Sequence, residues 1–250
     1  MNHWEPIAEG NTATIYKNDG HVMKVFKDHL PSTEALKEAK KQEYARSCGI
    51  PVPRIIDMLT HVGKPALVME YIKGKSIGER FRENPTQAER YLKQSVEVQF
   101  NMHSFPGDGL ESMTEKLANQ IASAPMMKSV QKQKLIDLLK GFHYKPKICH
   151  GDFHLYNLIQ SESGITIIDW VDASSGDPRA DVYRTYLLYL QHSRELGDLY
   201  LRLYCEKSGF KKGEILKWAP VIACARLSEH VATEDVSRLL KIVNHHCPVS

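Results

Sequence analysis

The sequence predicts an α+β fold in which a small β-rich part precedes a larger, mainly helical part. Three observations predict it: short β-prone runs fill roughly the first 70 residues, strands nearly vanish after Gly74 and Gly78, and helical patterns dominate thereafter. We therefore expect residues 1–72 to form a small antiparallel sheet with one helix, and residues 73–250 to form the helical part.

Four β-prone runs predict the strands of the first part: Asn11–Tyr16, His21–Phe26, Arg54–Leu59 and Ala66–Ile72. The Asp19-Gly20 pair between the first two runs is typical of a tight hairpin turn. The segment Thr33–Ser47 is rich in Ala, Leu, Glu and Lys, and Gly49 follows it, so we expect a helix that ends there.

Helical patterns dominate the second part. The residues from Thr86 to Glu89 have the form of a capping box, which predicts the start of a helix. The segment Asp181–Lys207 predicts one long amphipathic helix, and the last forty or so residues are again helical in character. Between these helices, the stretch Lys147–Ile168 alternates strand-like runs with polar turns.

Composition limits the classes of function. The chain is 42% apolar and 25% charged, as ordinary globular proteins are, and a net charge of +3 is too small to argue for nucleic acid binding. No run approaches the roughly 20 apolar residues that cross a bilayer, and the N-terminus lacks a signal-peptide pattern. Five scattered cysteines without a C-x-x-C pair argue against disulfides and zinc. We expect a cytoplasmic monomer or homodimer without nucleic acid or membrane partners.

The residues that carry chemistry lie in two neighbouring loops. Asp152 and Asn157 are five residues apart in a turn-rich stretch, and Asp169 ends the next strand-like run. Carboxylate and amide oxygens suit Mg²⁺, which takes hard oxygen ligands together with substrate phosphates. A carboxylate near the metal can accept the proton of an attacking hydroxyl. This set predicts phosphoryl transfer, in which positioning and charge neutralisation do most of the catalysis.

An alternative interpretation starts from the alternation of His150, Asp152 and His154. On a strand these side chains would face one side as metal ligands, and in a turn they would be hydrogen-bonded polar residues. The metal-ligand interpretation leaves Asn157 and Asp169 unexplained, so phosphoryl transfer is favoured.

These two loops resemble those of a known family. The run His-Gly-Asp-Phe-His-x-x-Asn-Leu-Ile (150–159), followed by Ile-Ile-Asp-Trp (167–170), resembles the catalytic and metal-binding loops of the aminoglycoside phosphotransferase and choline kinase family. Protein kinases have similar elements. The resemblance implies a protein-kinase-like two-lobed fold and an enzyme that uses ATP and Mg²⁺. It implies that Asp152 is the catalytic base, Asn157 a metal ligand and Asp169 the principal Mg²⁺ ligand.

A lone lysine, Lys24, lies in the apolar run from Val22 to Phe26. By itself such a lysine would point to solvent. The resemblance implies that Lys24 contacts the α- and β-phosphates of ATP and pairs with a glutamate of the following helix. Glu38 fits the family pattern better, and Glu43 stays open as the alternative partner.

Two further segments match the family in chain order. The resemblance implies that backbone groups of Glu70, Tyr71 and Ile72 bind adenine as a hinge. It also implies that the glycine-poor loop around Thr12 covers the phosphates, with help from threonine hydroxyls. Later in the chain, the run Gly-Asp-Pro-Arg-Ala-Asp ending at Asp181 resembles a family element whose last aspartate supports the catalytic loop.

The acceptor predicted from the resemblance is a small-molecule hydroxyl, on an aminoglycoside-like antibiotic, an amino alcohol or a sugar. Acidic and aromatic residues after the metal loop are candidates for an acceptor site: Asp172, Glu195, Asp198, Glu229, Glu234 and Asp235, and Trp170, Trp218, Tyr183, Tyr186 and Tyr189. Solvated helix faces and core packing explain most of them better than an acceptor site does. Two alternatives stay open: a kinase acting on a protein hydroxyl, and a nucleotide-binding pseudokinase with a regulatory role.

Overall fold

The computed structural model describes residues 4–229, 231 and 233–248. The strands are β1 Glu5–Glu9, β2 Ala13–Asn18, β3 His21–Phe26, β4 Ile55–His61, β5 Lys64–Glu70, β6 Lys75–Ser76, β7 Lys147–Cys149, β8 Leu158–Ser161, β9 Gly164–Ile167 and β10 Ser174–Gly176. The helices are α1 Glu34–Ser47, α2 Ile77–Glu83, α3 Ala88–Met102, α4 Met113–Ser123, α5 Ser129–Lys140, α6 Pro178–Tyr189, α7 Arg194–Ser208, α8 Lys212–Leu216, α9 Ala219–Leu227 and α10 Val236–His246.

The described chain divides into two compact units. The first runs to Pro85 and also contains Leu155–Asp172, and the second consists of Thr86–His154 and the residues from Ala173 onward. The units therefore do not follow chain order, because Leu155–Asp172 returns to fold with the N-terminal residues. The lobe boundary expected after Ile72 stays a prediction.

An antiparallel sheet in the order β1-β2-β3-β5-β4 forms the body of the first unit, with α1 as the long helix beside it. The β2–β3 hairpin pairs Asn18 with His21 across Asp19-Gly20, and Gly20 has a φ of 79°, a value that glycine adopts readily. This sheet and the helical content of the second unit confirm the predicted α+β fold. Strand β1 was absent from the prediction, and β2 begins two residues later than expected.

Strand β3 is buried on both faces, which fixes the direction of its lysine. Met23 and Val25 pack in one cluster with residues of β5, while Phe26 packs in another with Ala35 and Ala39 of α1. Successive side chains of a strand point to opposite faces, so Lys24 shares the face of Phe26. Lys24 therefore points toward α1 and not to solvent.

Helix α2 begins with a capping box that the sequence analysis did not predict. The Ser76 hydroxyl accepts the Glu79 backbone N–H at 3.1 Å, and the Glu79 carboxylate accepts the Ser76 N–H at 2.7 Å. The capping box expected at Thr86 is wrong, because α3 is preceded by Gln87 and has no side-chain cap there.

Helix α9 forms the centre of the second unit. All of its residues are buried, and α4, α5, α6 and α10 pack against it. The single helix expected over Asp181–Lys207 is wrong: α6 ends at Tyr189 and α7 starts at Arg194. Ser193 causes the new start, because its hydroxyl accepts the Leu196 N–H at 3.2 Å and caps α7. None of the described helices has both the length and the apolarity needed to cross a membrane.

Candidate active site

A buried lysine joins two carboxylates within the first unit. The Nζ atom of Lys24 donates to Glu38 Oε1 at 2.9 Å and to Asp169 Oδ1 at 2.8 Å. Lys24 is 4% exposed and Glu38 1%, whereas the side chain of Asp169 is 38% exposed. Of the two glutamates left open by the sequence, Glu38 makes the contact and Glu43 is exposed to solvent.

The charges of this cluster shift one another's protonation. Burial acts to lower the pKa of Lys24, but the carboxylates of Glu38 and Asp169 outweigh it and raise that pKa above its ordinary value. Burial raises the pKa of Glu38 despite the opposing charge of Lys24. Lys24 therefore stays a cation at neutral pH, held between one buried and one accessible carboxylate.

The loop that carries Asp169 is tied to the same glutamate. The backbone N–H of Trp170 donates to Glu38 Oε1 at 3.3 Å, and the Trp170 indole N–H donates to the Ile167 carbonyl at 3.2 Å. Asp169 between them has a φ of 65°, in the left-handed region that few non-glycine residues adopt. The surrounding contacts thus hold Asp169 in an unusual backbone conformation, as is common at functional sites.

Asn157 lies next to Asp169 through the β8–β9 hairpin. The Ile168 backbone N–H donates to the Asn157 carbonyl at 3.0 Å, and Leu158 pairs with Ile167. One oxygen-bearing side chain, Asn157, therefore lies just before β8, and another, Asp169, lies just after β9. An amide and a carboxylate are the hard oxygen donors that Mg²⁺ takes, so the residues present fit that ion.

The predicted hinge follows β5. The backbone N–H of Glu70 donates to the Arg54 carbonyl, and that of Tyr71 donates to the Gly20 carbonyl, both at 2.9 Å. The Lys17 ammonium lies 4.0 Å from the centre of the Tyr71 ring. Two of the three hinge N–H groups are therefore used inside the unit, and Ile72 follows them as a half-buried residue.

Thr12 lies in the turn between β1 and β2. Its carbonyl accepts the Lys27 backbone N–H at 2.9 Å, and the Gly10 N–H donates to the Ala13 carbonyl at 2.9 Å. These bonds give the loop a defined backbone although it contains a single glycine.

Asp152 belongs to the second unit, in the loop after β7. Its side chain is 29% exposed, and its Oδ2 atom lies 3.5 Å from His154 Nε2. Phe153, the next residue, is fully buried and anchors the loop. The preceding Gly151 has a φ of 80° and donates its N–H to Asp181 Oδ1 at 2.6 Å.

Asp181, for which the family resemblance implies a supporting role, is the centre of a buried polar cluster. Its Oδ2 atom accepts hydrogen bonds from His103 Nε2 at 2.9 Å and from Gln99 Nε2 at 3.0 Å. Burial acts to raise the pKa of Asp181. The hydrogen bond and the charge of His103, together with the hydrogen bonds from the Gly151 N–H and the Gln99 amide, outweigh burial and lower the pKa to about 2. Two tyrosines of α7, Tyr200 and Tyr204, complete the cluster.

The aromatic candidates for an acceptor site are core residues. All five are 9% exposed or less: Trp170, Trp218, Tyr183, Tyr186 and Tyr189. Among the acidic candidates, Glu229 binds Arg184 and Arg226, and Glu234 binds Arg226 and Arg238. Core packing and ion pairing therefore account for these residues.

Comparison with known proteins places the chain in a family. Residues 3–216 match the Phosphotransferase enzyme family (APH). The mouse (Mus musculus) protein acyl-CoA dehydrogenase family member 10 is 25% identical over 221 residues, covering 72% of this chain. The chain spans about a fifth (21%) of the length of that curated relative.

Solved structures share the fold. A thermostable mutant of aminoglycoside phosphotransferase APH(4)-Ia, in a ternary complex with AMP-PNP and hygromycin B, has a TM-score of 0.74 at 15% identity, with 99% of this chain and 95% of that chain covered. A choline/ethanolamine kinase family protein from Mesorhizobium loti has a TM-score of 0.63 at 14% identity, with 98% and 86% covered. An aminoglycoside-3'-phosphotransferase of type VIII has a TM-score of 0.63 at 18% identity, with 91% and 93% covered.

The family match covers most of the chain, and the structural likeness extends over nearly all of it. This protein therefore belongs to the phosphotransferase enzyme family and has the kinase-like fold of the aminoglycoside phosphotransferases.

Proposed function

We propose that this protein is an ATP-dependent phosphotransferase that moves the γ-phosphoryl group to a hydroxyl of a small molecule. The observation that supports it most is the Lys24–Glu38–Asp169 cluster, in which a buried cation is aligned by one carboxylate and touches a second, accessible one. Burying an ion pair costs free energy, and phosphate binding is a function that requires a lysine held in this way.

In this proposal Lys24 binds the α- and β-phosphates, and Glu38 orients its ammonium. The β1–β2 turn around Thr12 covers the phosphates. Adenine binds along Glu70, Tyr71 and Ile72, and because the first two N–H groups are already bonded, the Ile72 N–H is the donor that we assign to it.

Asn157 and Asp169 would hold Mg²⁺, with phosphate and water oxygens as further ligands. The metal, when bound, neutralises charge on the transferred phosphoryl group. The chain's own contribution is to keep two oxygen donors at the ends of one hairpin and to fix the Asp169 backbone through Glu38 and Trp170.

Asp152 acts as the base in this proposal. The acceptor hydroxyl gives its proton to the Asp152 carboxylate while its oxygen bonds to the γ-phosphorus and the bond to the ADP oxygen breaks. The partial exposure of the Asp152 side chain agrees with a role at a surface that meets substrate.

The acceptor class is an aminoglycoside-like antibiotic, an amino alcohol or a sugar. The named relatives act as aminoglycoside phosphotransferases or belong to a choline/ethanolamine kinase family, which supports hydroxyl compounds of this size. Burial of the aromatic candidates removes the observation that would have favoured a quaternary ammonium cage.

The test is an ADP-release assay with Mg²⁺-ATP against separate pools of aminoglycosides, amino alcohols, sugars and nucleosides. We expect turnover with one pool and its loss in Asp152→Ala, with nucleotide affinity retained. If no pool is turned over while Mg²⁺-ATP still raises the melting temperature, the small-molecule proposal fails and a pseudokinase or a protein acceptor takes its place.

A further inference from the structure

Five polar side chains from three helices of the second unit form one continuous hydrogen-bonded cluster. They are Gln99 and His103 of α3, Asp181 of α6, and Tyr200 and Tyr204 of α7. Each is 5% exposed or less. Buried polar groups cost free energy unless every one is hydrogen-bonded, and apolar side chains would join the same helices without that cost. A cluster of this kind calls for an explanation beyond packing.

The hydrogen bonds of the cluster converge on Asp181. Because an ionised carboxylate can only accept, His103 must donate from Nε2. The Tyr204 hydroxyl lies 2.6 Å from Nδ1, the other ring nitrogen, and so holds the ring in the orientation in which Nε2 meets Asp181. Burial raises the pKa of Tyr204, and the nearby Asp181 charge adds to this shift, so the hydroxyl keeps its proton.

A second branch reaches Asp181 through an amide. The Tyr200 hydroxyl donates to Gln99 Oε1, which orients the amide so that its NH₂ group faces Asp181 Oδ2 and the Thr185 hydroxyl, at 3.0 and 3.3 Å. Burial raises the pKa of Tyr200 well above its ordinary value, so its hydroxyl also keeps its proton.

Both branches end on the catalytic loop. Asp181 uses Oδ2 for His103 and Gln99, which leaves Oδ1 to accept the Gly151 N–H at 2.6 Å. Gly151 precedes Asp152, and its left-handed backbone sets the direction of that residue. A carboxylate that could rotate would not hold Gly151 in place, and two donors on its other oxygen prevent the rotation.

We propose that Tyr204 and Tyr200 are positioning residues for Asp152, acting through His103 and Gln99 on Asp181 and the Gly151 amide. The proposal rests on the proposed function only for its kinetic readout. It assigns a catalytic consequence to α7, a helix that contributes no residue to the predicted catalytic or metal-binding loops.

The test uses Tyr204→Phe and Tyr200→Phe, which remove one hydroxyl each and keep the ring. The matched control is Tyr144→Phe, which removes a tyrosine hydroxyl bonded to Thr114 Oγ1 at 2.6 Å in the same unit, outside the cluster. We expect a fall in kcat of roughly ten- to a hundredfold in both cluster variants with KM for ATP nearly unchanged. The control should retain kcat within about twofold.

Two NMR signals separate positioning from general destabilisation. The His103 Nδ1 ¹⁵N shift should move in Tyr204→Phe, which removes the hydrogen-bond partner of that nitrogen, and should stay in place in Tyr144→Phe. The Gly151 amide signal should move in both cluster variants and stay in place in Tyr144→Phe. Cluster variants with the control's kcat, or an unmoved Gly151 signal, would overturn the proposal. If the wild type turns over no acceptor, only the proposed function fails. The Gly151 signal then still tests the positioning roles of Tyr204 and Tyr200.

Discussion

At the scale of single residues, Lys24 combines deep burial with contacts to two carboxylates. It is a buried cation whose two carboxylate partners are Glu38 of α1 and Asp169 in the loop after β9. The sequence supplied the position of this lysine but not its direction. Both faces of β3 are buried, and that is visible only when the sheet and α1 are assembled.

Lys24→Met should lower the free energy of unfolding by about 3 kcal/mol, because it leaves the Glu38 carboxylate buried without its cation. Lys24→Met with Glu38→Met should recover much of this loss, since both buried charges are then gone. Chemical denaturation at neutral pH measures both values.

The matched control is Lys64→Met, which breaks an exposed ion pair with Asp28 and should cost about 0.5 kcal/mol or less. A double variant less stable than Lys24→Met would show that the buried pair is not the source of the loss.

Asp181 gives the protein a defined acid sensitivity. Its folded pKa of about 2 lies below the model-peptide value of 3.8, so its contribution is present above pH 4 and is lost as the pH falls toward 2. The contribution is about 2 kcal/mol. Between pH 5 and pH 2, the free energy of unfolding of Asp181→Asn should fall by about 2 kcal/mol less than that of the wild type. Chemical denaturation curves at each pH measure it.

Asp108→Asn serves as the control, because Asp108 is exposed and its removal should leave the slope unchanged. Equal slopes for wild type and Asp181→Asn would contradict the hydrogen-bonding account of the cluster.

At the scale of elements, α2 is seated against the turn that precedes β8. A Cβ atom at Gly78 would lie 2.6 Å from the ring of Tyr156, the residue before Asn157. The close approach of helix and ring therefore requires glycine at this position. The same helix is fixed at its start by the Ser76–Glu79 capping box.

Gly78→Ala should force the Tyr156 ring away, displace Asn157 and weaken the Mg²⁺ dependence of nucleotide binding, with a loss of about 1–3 kcal/mol in stability. Calorimetric titration of ATP at several Mg²⁺ concentrations measures the first effect. The control is Gly213→Ala in α8. Its added Cβ atom would have no atom within 4 Å, so its effect on stability should be neutral or slightly favourable. Unchanged Mg²⁺ dependence in Gly78→Ala would remove the link between α2 and Asn157.

Elements also show where sequence patterns mislead. The run Asp181–Lys207 predicts one amphipathic helix, but α6 is buried on most of its faces and Ser193 caps a second helix, α7. The Thr86 pattern has the right residues for a capping box and no such cap, while Ser76–Glu79 has both bonds. The residue pattern of a capping box therefore does not by itself predict which helix forms one.

At the scale of the whole molecule, the fold class followed from the order of strand-like and helix-like segments together with the loop motifs. The Asp152, Asn157 and Asp169 positions came from short-range spacing, which a sequence displays directly. The bond between His103 and Tyr204 joins residues 101 apart in the chain, and no local pattern announces it. Long-range polar pairs of this kind depend on how helices pack, which is why the resemblance implied a supporting role for Asp181 but the sequence did not predict Gln99, Tyr200 and Tyr204 around it.

We propose that this chain transfers phosphate with Asp152 as the base. An assay that follows γ-phosphoryl transfer from ATP to an accepted hydroxyl compound, in the wild type and in Asp152→Asn, tests this proposal, with ATP affinity measured on both proteins. We expect Asp152→Asn to lose kcat by about a thousandfold or more and to retain its ATP affinity. Turnover by Asp152→Asn at the wild-type rate would contradict it.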